Sequence, residues 1–466
     1  MTDPWKHQED ALTCALPYDA YMFAHDMGCG KSFEAVEYAN RVDAWLILIF
    51  CPKSVVSVWP DEFKKHSKNK FDVVPLIKGT VKDKAKRLES LLHIQKLRKS
   101  RLAVVVNYDS AWRSGLGPDY RKKRIVKPGV ILSHKWDLVI ADESHRAKDP
   151  TSKISWFMYQ ISKRGISKRR LALTGTPMPH SPLDIYAQFR FLDWKIFKMT
   201  FTEFRNRYAV MKDFGDFKKP VGFQREDELN AIFYSRAHRV MKRDVLDLPP
   251  VMHEKRFCDL DPKTMKLYLE VEHEFYSWLE EQGDSITIET VLTKILRLGQ
   301  ITGGYLQLDS GESTIVDNSK LNLLSDIFQD LPTDEPVVVF ARFTNEIARI
   351  KELAEKLGRP AAELSGNMNQ LKEWKAGEYN VIAVQIRAGG VGIDLTRAHY
   401  TVYYSHGYSL GDFEQSLART DRPGQTKPGV FYHLLAHKTI DIDVFRSLET
   451  KKKVVEGILN LQKVAA

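Results

Sequence analysis

Short, mostly apolar runs punctuate this chain, among them Trp45 to Phe50, Leu102 to Val106, Trp136 to Ile140, Leu171 to Thr174, Pro336 to Phe340, Val381 to Val384 and Tyr400 to Tyr404. Each is bounded by turn residues, and segments with amphipathic helical spacing separate them. A strand that is apolar on both faces needs cover on both faces. A parallel sheet with crossover helices supplies that cover. The runs fall into two groups, at about residues 20 to 180 and 335 to 435. Between the groups, Phe197 to Val245 and Lys263 to Leu298 read as helical, rich in aromatics, Arg and Lys. Asp247-Leu248-Pro249-Pro250 interrupts them and reads as a linker, because proline cannot continue a helix. The expected fold class is α/β: two lobes, 1–246 and 247–466, each a mainly parallel sheet flanked by helices, with helical protrusions where they meet.

Composition narrows the function classes. With 466 residues and 43% apolar side chains, the chain can bury more than one core. Lys plus Arg number 70 against 60 for Asp plus Glu, a net charge of +10. A polyanionic partner is the natural reading of that excess, although both signs are abundant. The four cysteines, Cys14, Cys29, Cys51 and Cys258, form no CxxC spacing, which supports neither a zinc ribbon nor a redox motif. A reduced, intracellular setting, cytoplasmic in the simplest case, is the expectation. The segment Met1-Thr2-Asp3-Pro4-Trp5-Lys6 lacks an apolar signal core. The longest apolar stretch, Ala44 to Phe50, is far shorter than the roughly 20 residues of a membrane span, so no membrane association is expected.

Three segments in the first group carry chemistry. Ala24-His25-Asp26-Met27-Gly28-Cys29-Gly30-Lys31-Ser32 ends as a phosphate-binding loop does. Its glycines let backbone N–H groups turn toward phosphate oxygens, Lys31 can reach the β and γ phosphates, and the Ser32 hydroxyl can ligate Mg²⁺. His25 stands where the GxxxxGK[ST] pattern has its first glycine. Next, the apolar run from Trp136 ends in Asp142-Glu143-Ser144-His145. Paired carboxylates at the end of a strand lie at the carboxyl edge of the sheet, where α/β proteins bind ligands. Asp142 would hold Mg²⁺ through water, and Glu143 would orient and polarise an attacking water. The third segment, Leu171-Ala172-Leu173-Thr174-Gly175-Thr176-Pro177, is again a strand running into a tight turn.

The second group ends with Arg387-Ala388-Gly389-Gly390-Val391-Gly392-Ile393-Asp394-Leu395-Thr396 and Gln415-Ser416-Leu417-Ala418-Arg419-Thr420-Asp421-Arg422-Pro423-Gly424-Gln425. Arg419 and Arg422 are three apart and would share a face of a helix. A guanidinium fork suits the oxygens of a transferring phosphoryl group, a role worth roughly 10³ to 10⁵ in rate.

In this order the motifs resemble the Swi/Snf-like family of helicase-related ATPases in superfamily two, from Trp5 to about Phe445. Trp5-Lys6-His7-Gln8 looks like the family's entry motif, in which Gln8 would read adenine. The Asp26-to-Ser32 loop resembles the family's DEMGLGKT, which also lacks the first glycine. Cys51-Pro52-Lys53-Ser54 and Asn107-Tyr108-Asp109 resemble strand-contacting motifs, and Phe340-Ala341-Arg342-Phe343-Thr344 a tracking motif in the second lobe. Met241 to Val245 before Leu248-Pro249-Pro250 resembles the family's boundary between lobes. Two positions depart from the family's pattern: Gln385 stands where Ser or Thr is common, and Asp421 replaces a common His.

The resemblance implies two RecA-like lobes with ATP and Mg²⁺ in the cleft between them. Gln8, Met27, Gly28, Cys29, Gly30, Lys31, Ser32 and Gln415 would bind ATP, with Mg²⁺ at Ser32 and Asp142. Asp142, Glu143, Arg419 and Arg422 would be catalytic. Lys53, Tyr108, Arg342, Thr344, Arg387 and Thr396 would grip DNA, and Thr174, Gly175, Thr176 and Gly392 would couple hydrolysis to motion. A minimal bacterial or bacteriophage-type motor, acting as a monomer on duplex DNA without sequence preference, is the implied function. The rivals are a strand-separating DNA or RNA helicase, an ATP-binding scaffold without motor activity, and a plain basic DNA-binding module.

Overall fold

A computed structural model describes residues 3–121, 124–213, 218–282, 288–307, 312–387 and 393–460. The chain divides into two compact units, the first built mainly from Met1–Lys212 and Lys219–Leu246, the second mainly from Asp247–Lys453.

The first unit is organised by seven strands: β1 (Ala20–His25), β2 (Leu46–Cys51), β3 (Phe71–Pro75), β4 (Arg101–Asn107), β5 (Trp136–Asp142), β6 (Ser167–Leu173) and β7 (Ala237–Val240). They hydrogen-bond in the order β7-β1-β6-β5-β2-β4-β3, and every neighbouring pair is parallel. Parallel order places all the carboxyl ends on one edge. That edge carries the loop after β1, the Lys53 turn after β2, Tyr108 after β4, the carboxylates of β5 and the Thr174 turn after β6. The runs predicted as strands are the central ones, where both faces are covered. Leu48, Val104, Val139 and Ala172 are fully buried among helix side chains such as Phe157, Ile161 and Phe189.

The second unit repeats the plan with six strands: β8 (Val251–Cys258), β9 (Val337–Ala341), β10 (Ala361–Leu364), β11 (Val381–Gln385), β12 (Tyr400–Tyr403) and β13 (Gly429–Ala436). The order is β8-β13-β12-β9-β11-β10, again all parallel. One face packs Val337, Val339 and Ala383 against Ile347 and Ile350; the other packs Val338, Phe340 and Ile382 against Trp374 and Leu395.

The region between the groups needs correction. Phe197 to Val245 is not uniformly helical. It holds helices Phe201–Tyr208 and Glu226–Tyr234, a two-stranded sheet of Ala209–Asp213 and Lys218–Phe223, and β7, which pairs with β1. The strand Ala-His-Arg-Val is short and carries two polar residues, so it shows no apolar run; an edge strand needs less cover than a central one. Pro262–Gln282 and Ile288–Thr302 are helices. Among the described residues, no helix is long and apolar enough to cross a membrane.

Candidate active site

The phosphate-loop candidate joins β1 to the helix Lys31–Arg41. Gly28 and Gly30 have φ of 89° and 85°, left-handed values that glycine adopts without strain. Gly30 is also tightly packed, since a Cβ there would lie 2.3 Å from Gln8 Nε2. Gln8 sits on the helix Lys6–Ala15. Its Nε2 donates to Cys29 O at 3.1 Å, and its Oε1 accepts from Trp5 N at 2.9 Å. His7 Nε2 meets the same Cys29 carbonyl at 3.0 Å. The helix start therefore braces the loop from outside. Met27, Gly28 and Ser32 are half-buried and Cys29 is buried. The Lys31 ammonium donates to His25 O at 2.7 Å and Asp26 O at 3.2 Å.

Behind the loop, His25 Nδ1 lies 2.9 Å from Glu34 Oε1, and both side chains are fully buried. Burial pushes the Glu34 carboxyl up to about 8 and the His25 imidazole well down, so each is driven toward its neutral form. His25 thus fills the first-glycine position as a packed core residue.

Asp142 ends β5, and Glu143 follows with φ 54° and ψ 52°. A non-glycine residue in that region is strained and is held by its surroundings. Both carboxylates are buried. Burial, then the Glu143 charge, push Asp142 up to about 7. Lys31 pulls the other way, as does the Trp59 indole, whose buried Nε1 makes no hydrogen bond of full geometry. Lys31 is thus electrostatically coupled to Asp142. Ser32 and Asp142 are hard oxygen donors of the kind magnesium takes, and a site with so few protein oxygens leaves the remaining positions to water and phosphate.

Residues to which the sequence assigned no role hold these pieces together. His145 Nδ1 lies 3.0 Å from Thr174 Oγ1 and 3.3 Å from Glu143 Oε2, which links the β5 carboxylates to the Thr174-Gly175-Thr176 turn. Gln188, fully buried on the helix Ile185–Leu192, uses both ends of its amide. Its Oε1 accepts from Ser144 Oγ at 2.8 Å, and its Nε2 donates to Pro177 O at 2.7 Å and Asp184 O at 2.9 Å. Arg239 on β7 donates to Asp26 Oδ1 at 2.7 Å, Ala24 O at 2.7 Å and Gly175 O at 3.2 Å. A Cβ at Gly175 would lie 3.4 Å from His25 O and Met27 N. The loop, the carboxylate strand and the Thr174 turn therefore form one assembly.

Of the nucleic-acid candidates in the first unit, Lys53 is exposed in the turn Lys53–Val55. Tyr108 is 3% exposed, and its hydroxyl donates to Asp142 O at 2.8 Å, so the side chain is committed inward. In the second unit, Thr344 and Arg387 are exposed and Arg342 is half-buried. Burial, then the charge of nearby Arg387, hold Arg342 below the ordinary guanidinium range. Thr396 N and Oγ1 both donate to Asp394 Oδ1, at 3.1 and 2.8 Å. Gly392 lies outside the described residues.

Gln415 and Arg419 lie on the helix Leu410–Thr420; Arg419 is 3% exposed. The helix ends before Arg422, which sits in the following turn and donates to Ile393 O at 3.3 Å. The shared helical face expected for the two arginines is therefore corrected. The turn toward Pro423-Gly424 stops the helix, and the pair is joined instead through the 393–396 segment, where Leu395 N donates to Arg419 O at 3.0 Å.

Two family models match this chain: the SNF2-related domain over residues 11–303, more than half of it, and the helicase conserved C-terminal domain over residues 319–424. One similar protein is the SWI/SNF-related matrix-associated actin-dependent regulator of chromatin subfamily A-like protein 1 homolog of Caenorhabditis elegans. It is 25% identical over 470 residues, which cover 98% of this chain and 61% of that protein. Another is the DNA annealing helicase and endonuclease ZRANB3 of Bos taurus, 25% identical over 467 residues, covering 98% of this chain and 40% of that protein. The chain spans only part of the length of these curated relatives. A similar solved structure is the Sulfolobus solfataricus SWI2/SNF2 ATPase core in complex with dsDNA, at 21% identity and a TM-score of 0.43, covering 98% of this chain and 93% of that one. With a phosphate-loop candidate, a carboxylate-ended strand and an arginine-bearing helix and turn inside the matched spans, the chain belongs to the SNF2-related family.

Proposed function

We propose that this chain hydrolyses ATP and uses the energy to move along duplex DNA without reading its sequence. The observation that carries the reading is the single assembly of Lys31, Asp142, Glu143 and the Thr174 turn, tied by Tyr108 to the sheet edge that bears Lys53. Lys31 exchanges its two carbonyl partners for the β and γ phosphates, and Gln8 contacts the base. Glu143, held in a strained backbone conformation beside His145, orients the attacking water. Arg419 and Arg422 supply positive charge to the transferring phosphoryl group, Gln415 contacts the nucleotide, and Gly392 belongs to the coupling segment. Ser32 and Asp142 would hold magnesium, which would supply charge neutralisation on the phosphate oxygens. Lys53, Arg342, Thr344, Arg387 and Thr396 hold the phosphate backbone, which positions the protein without specifying sequence.

Displacement of a third strand from a DNA triplex tests the motor. ATP-dependent displacement, with no unwinding of a plain duplex under the same conditions, supports the reading. Unwinding of plain duplex favours the strand-separating rival; ATP binding with neither activity favours the scaffold.

A further inference from the structure

Lys84 lies in the first turns of the helix Val81–Arg98 and is only 7% exposed. Its ammonium donates to Ser110 Oγ at 3.1 Å, and no carboxylate among the described residues pairs with it. The adjacent Asp83 is engaged elsewhere, accepting from Thr80 N and Oγ1 to cap the helix. Three unfavourable conditions meet at Lys84. The charge is buried, it sits near the positive end of a helix, and Lys53 lies close enough for its charge to be felt. All three are relieved by one anion. Ser110 is in the short helix Tyr108–Ala111 after β4, and Lys53 is in the turn after β2, so the two cations stand at the carboxyl edge of adjacent strands.

We propose that Lys84, with Lys53 and Ser110, forms a seat for one phosphate of the nucleic-acid backbone. The seat rests on the reading of the chain as a DNA-binding motor and adds a residue that no motif marks. A phosphodiester fits better than a metal cation, because the site offers two ammonium groups and a hydroxyl that, while accepting from Lys84, keeps its own proton to donate, and it holds no carboxylate among the described residues. Backbone phosphate also accounts for the lack of a counter-ion among the described residues. A permanent carboxylate would compete with the phosphate that has to enter and leave at every step.

The test uses the full chain, a labelled short duplex and a salt series, with Lys84→Met and Lys84→Gln beside the unsubstituted protein. Met keeps the stem and removes the charge; Gln keeps a donor toward Ser110. The seat predicts that both variants weaken binding to different duplex sequences alike. It also predicts that they lower the slope of log affinity against log salt by about 0.9, one phosphate on B-DNA. Lys84→Met should melt at the same temperature as the parent or above it, since an unpaired buried charge is removed. An unchanged slope in both variants, with the parent binding normally, overturns the seat and leaves the motor reading intact. A lowered melting temperature with an unchanged slope assigns Lys84 to a structural role and also overturns it. If inorganic phosphate raises the melting temperature of the parent but not of Lys84→Met, and the slopes agree, the anion is a free phosphate and the backbone assignment fails. A parent that binds no duplex at any salt overturns both the motor reading and the seat.

Discussion

The Tyr108 hydroxyl donates to the backbone carbonyl of Asp142 at 2.8 Å, in a setting where Tyr108 is 3% exposed. Burial and the Asp142 charge hold the phenol protonated, so the bond persists at every physiological pH. The bond joins the segment after β4, beside Ser110, to the residue that ends β5. A displacement of that segment reaches the carboxylates directly. Tyr108→Phe removes the donor and leaves the Asp142 carbonyl unsatisfied, a loss of about 1 kcal/mol. We expect basal ATP turnover to change little and its stimulation by duplex DNA to fall several-fold. Steady-state ATPase assays with and without DNA check this; proportional loss of both would remove the coupling role.

Lys31→Ala and Glu143→Gln should each reduce ATP turnover by more than about 10²-fold, because Lys31 acts on phosphate charge and Glu143 on the water. Neither change opens a cavity in the apolar core. Turnover and melting temperature measured on the same preparations check the pair. Full activity in either variant would contradict the site.

Arg422→Ala should keep nucleotide affinity while losing about 10³-fold in turnover, the signature of a group that acts on the transition state. Equilibrium binding of a labelled nucleotide, compared with kcat, separates the cases. Equal losses in both would point to a ground-state role, and a change in stability alone would make Arg422 a structural partner of the Ile393 carbonyl.

Asp142 gives a pH prediction. Its folded-state pKa is raised, so the folded chain holds a proton that the unfolded chain gives up. That contribution to stability is greatest below the ordinary carboxylate range and is lost as pH rises toward about 7. Asp142→Asn should therefore melt higher than the parent in mildly alkaline buffer without nucleotide, with the gap closing in acid, while turnover is lost. A gap that widens in acid would contradict the sign of the shift.

Gln188→Leu keeps the volume but leaves Ser144 Oγ and the Pro177 carbonyl without their partner. We expect a stability loss of about 1 to 3 kcal/mol and a lower kcat with KM for ATP little changed. Denaturant unfolding and ATPase kinetics check it; a change confined to stability would make Gln188 a packing residue only.

The central strands were legible because full burial on both faces writes an unbroken apolar run, as in Leu46 to Phe50 and Leu138 to Ala141. Edge strands such as Ala237–Val240 carry polar residues and escape that pattern. The loop and carboxylates were legible because their chemistry demands particular residues at fixed spacing. His145, Gln188 and Arg239 were not, because their roles depend on partners far away in sequence: Gln188 is 44 residues from Ser144 and Arg239 is 213 from Asp26. The arginine pair shows the converse error. A spacing of three implies a shared face only while the helix continues, and this one stops at Thr420.

ATPase activity titrated in parallel with duplex DNA, single-stranded DNA and RNA bears most directly on the function proposed here. A duplex motor should show strong stimulation by duplex, weaker stimulation by single strands, and equal response to different duplex sequences of one length. Strong stimulation by single-stranded DNA or RNA with none by duplex would contradict it.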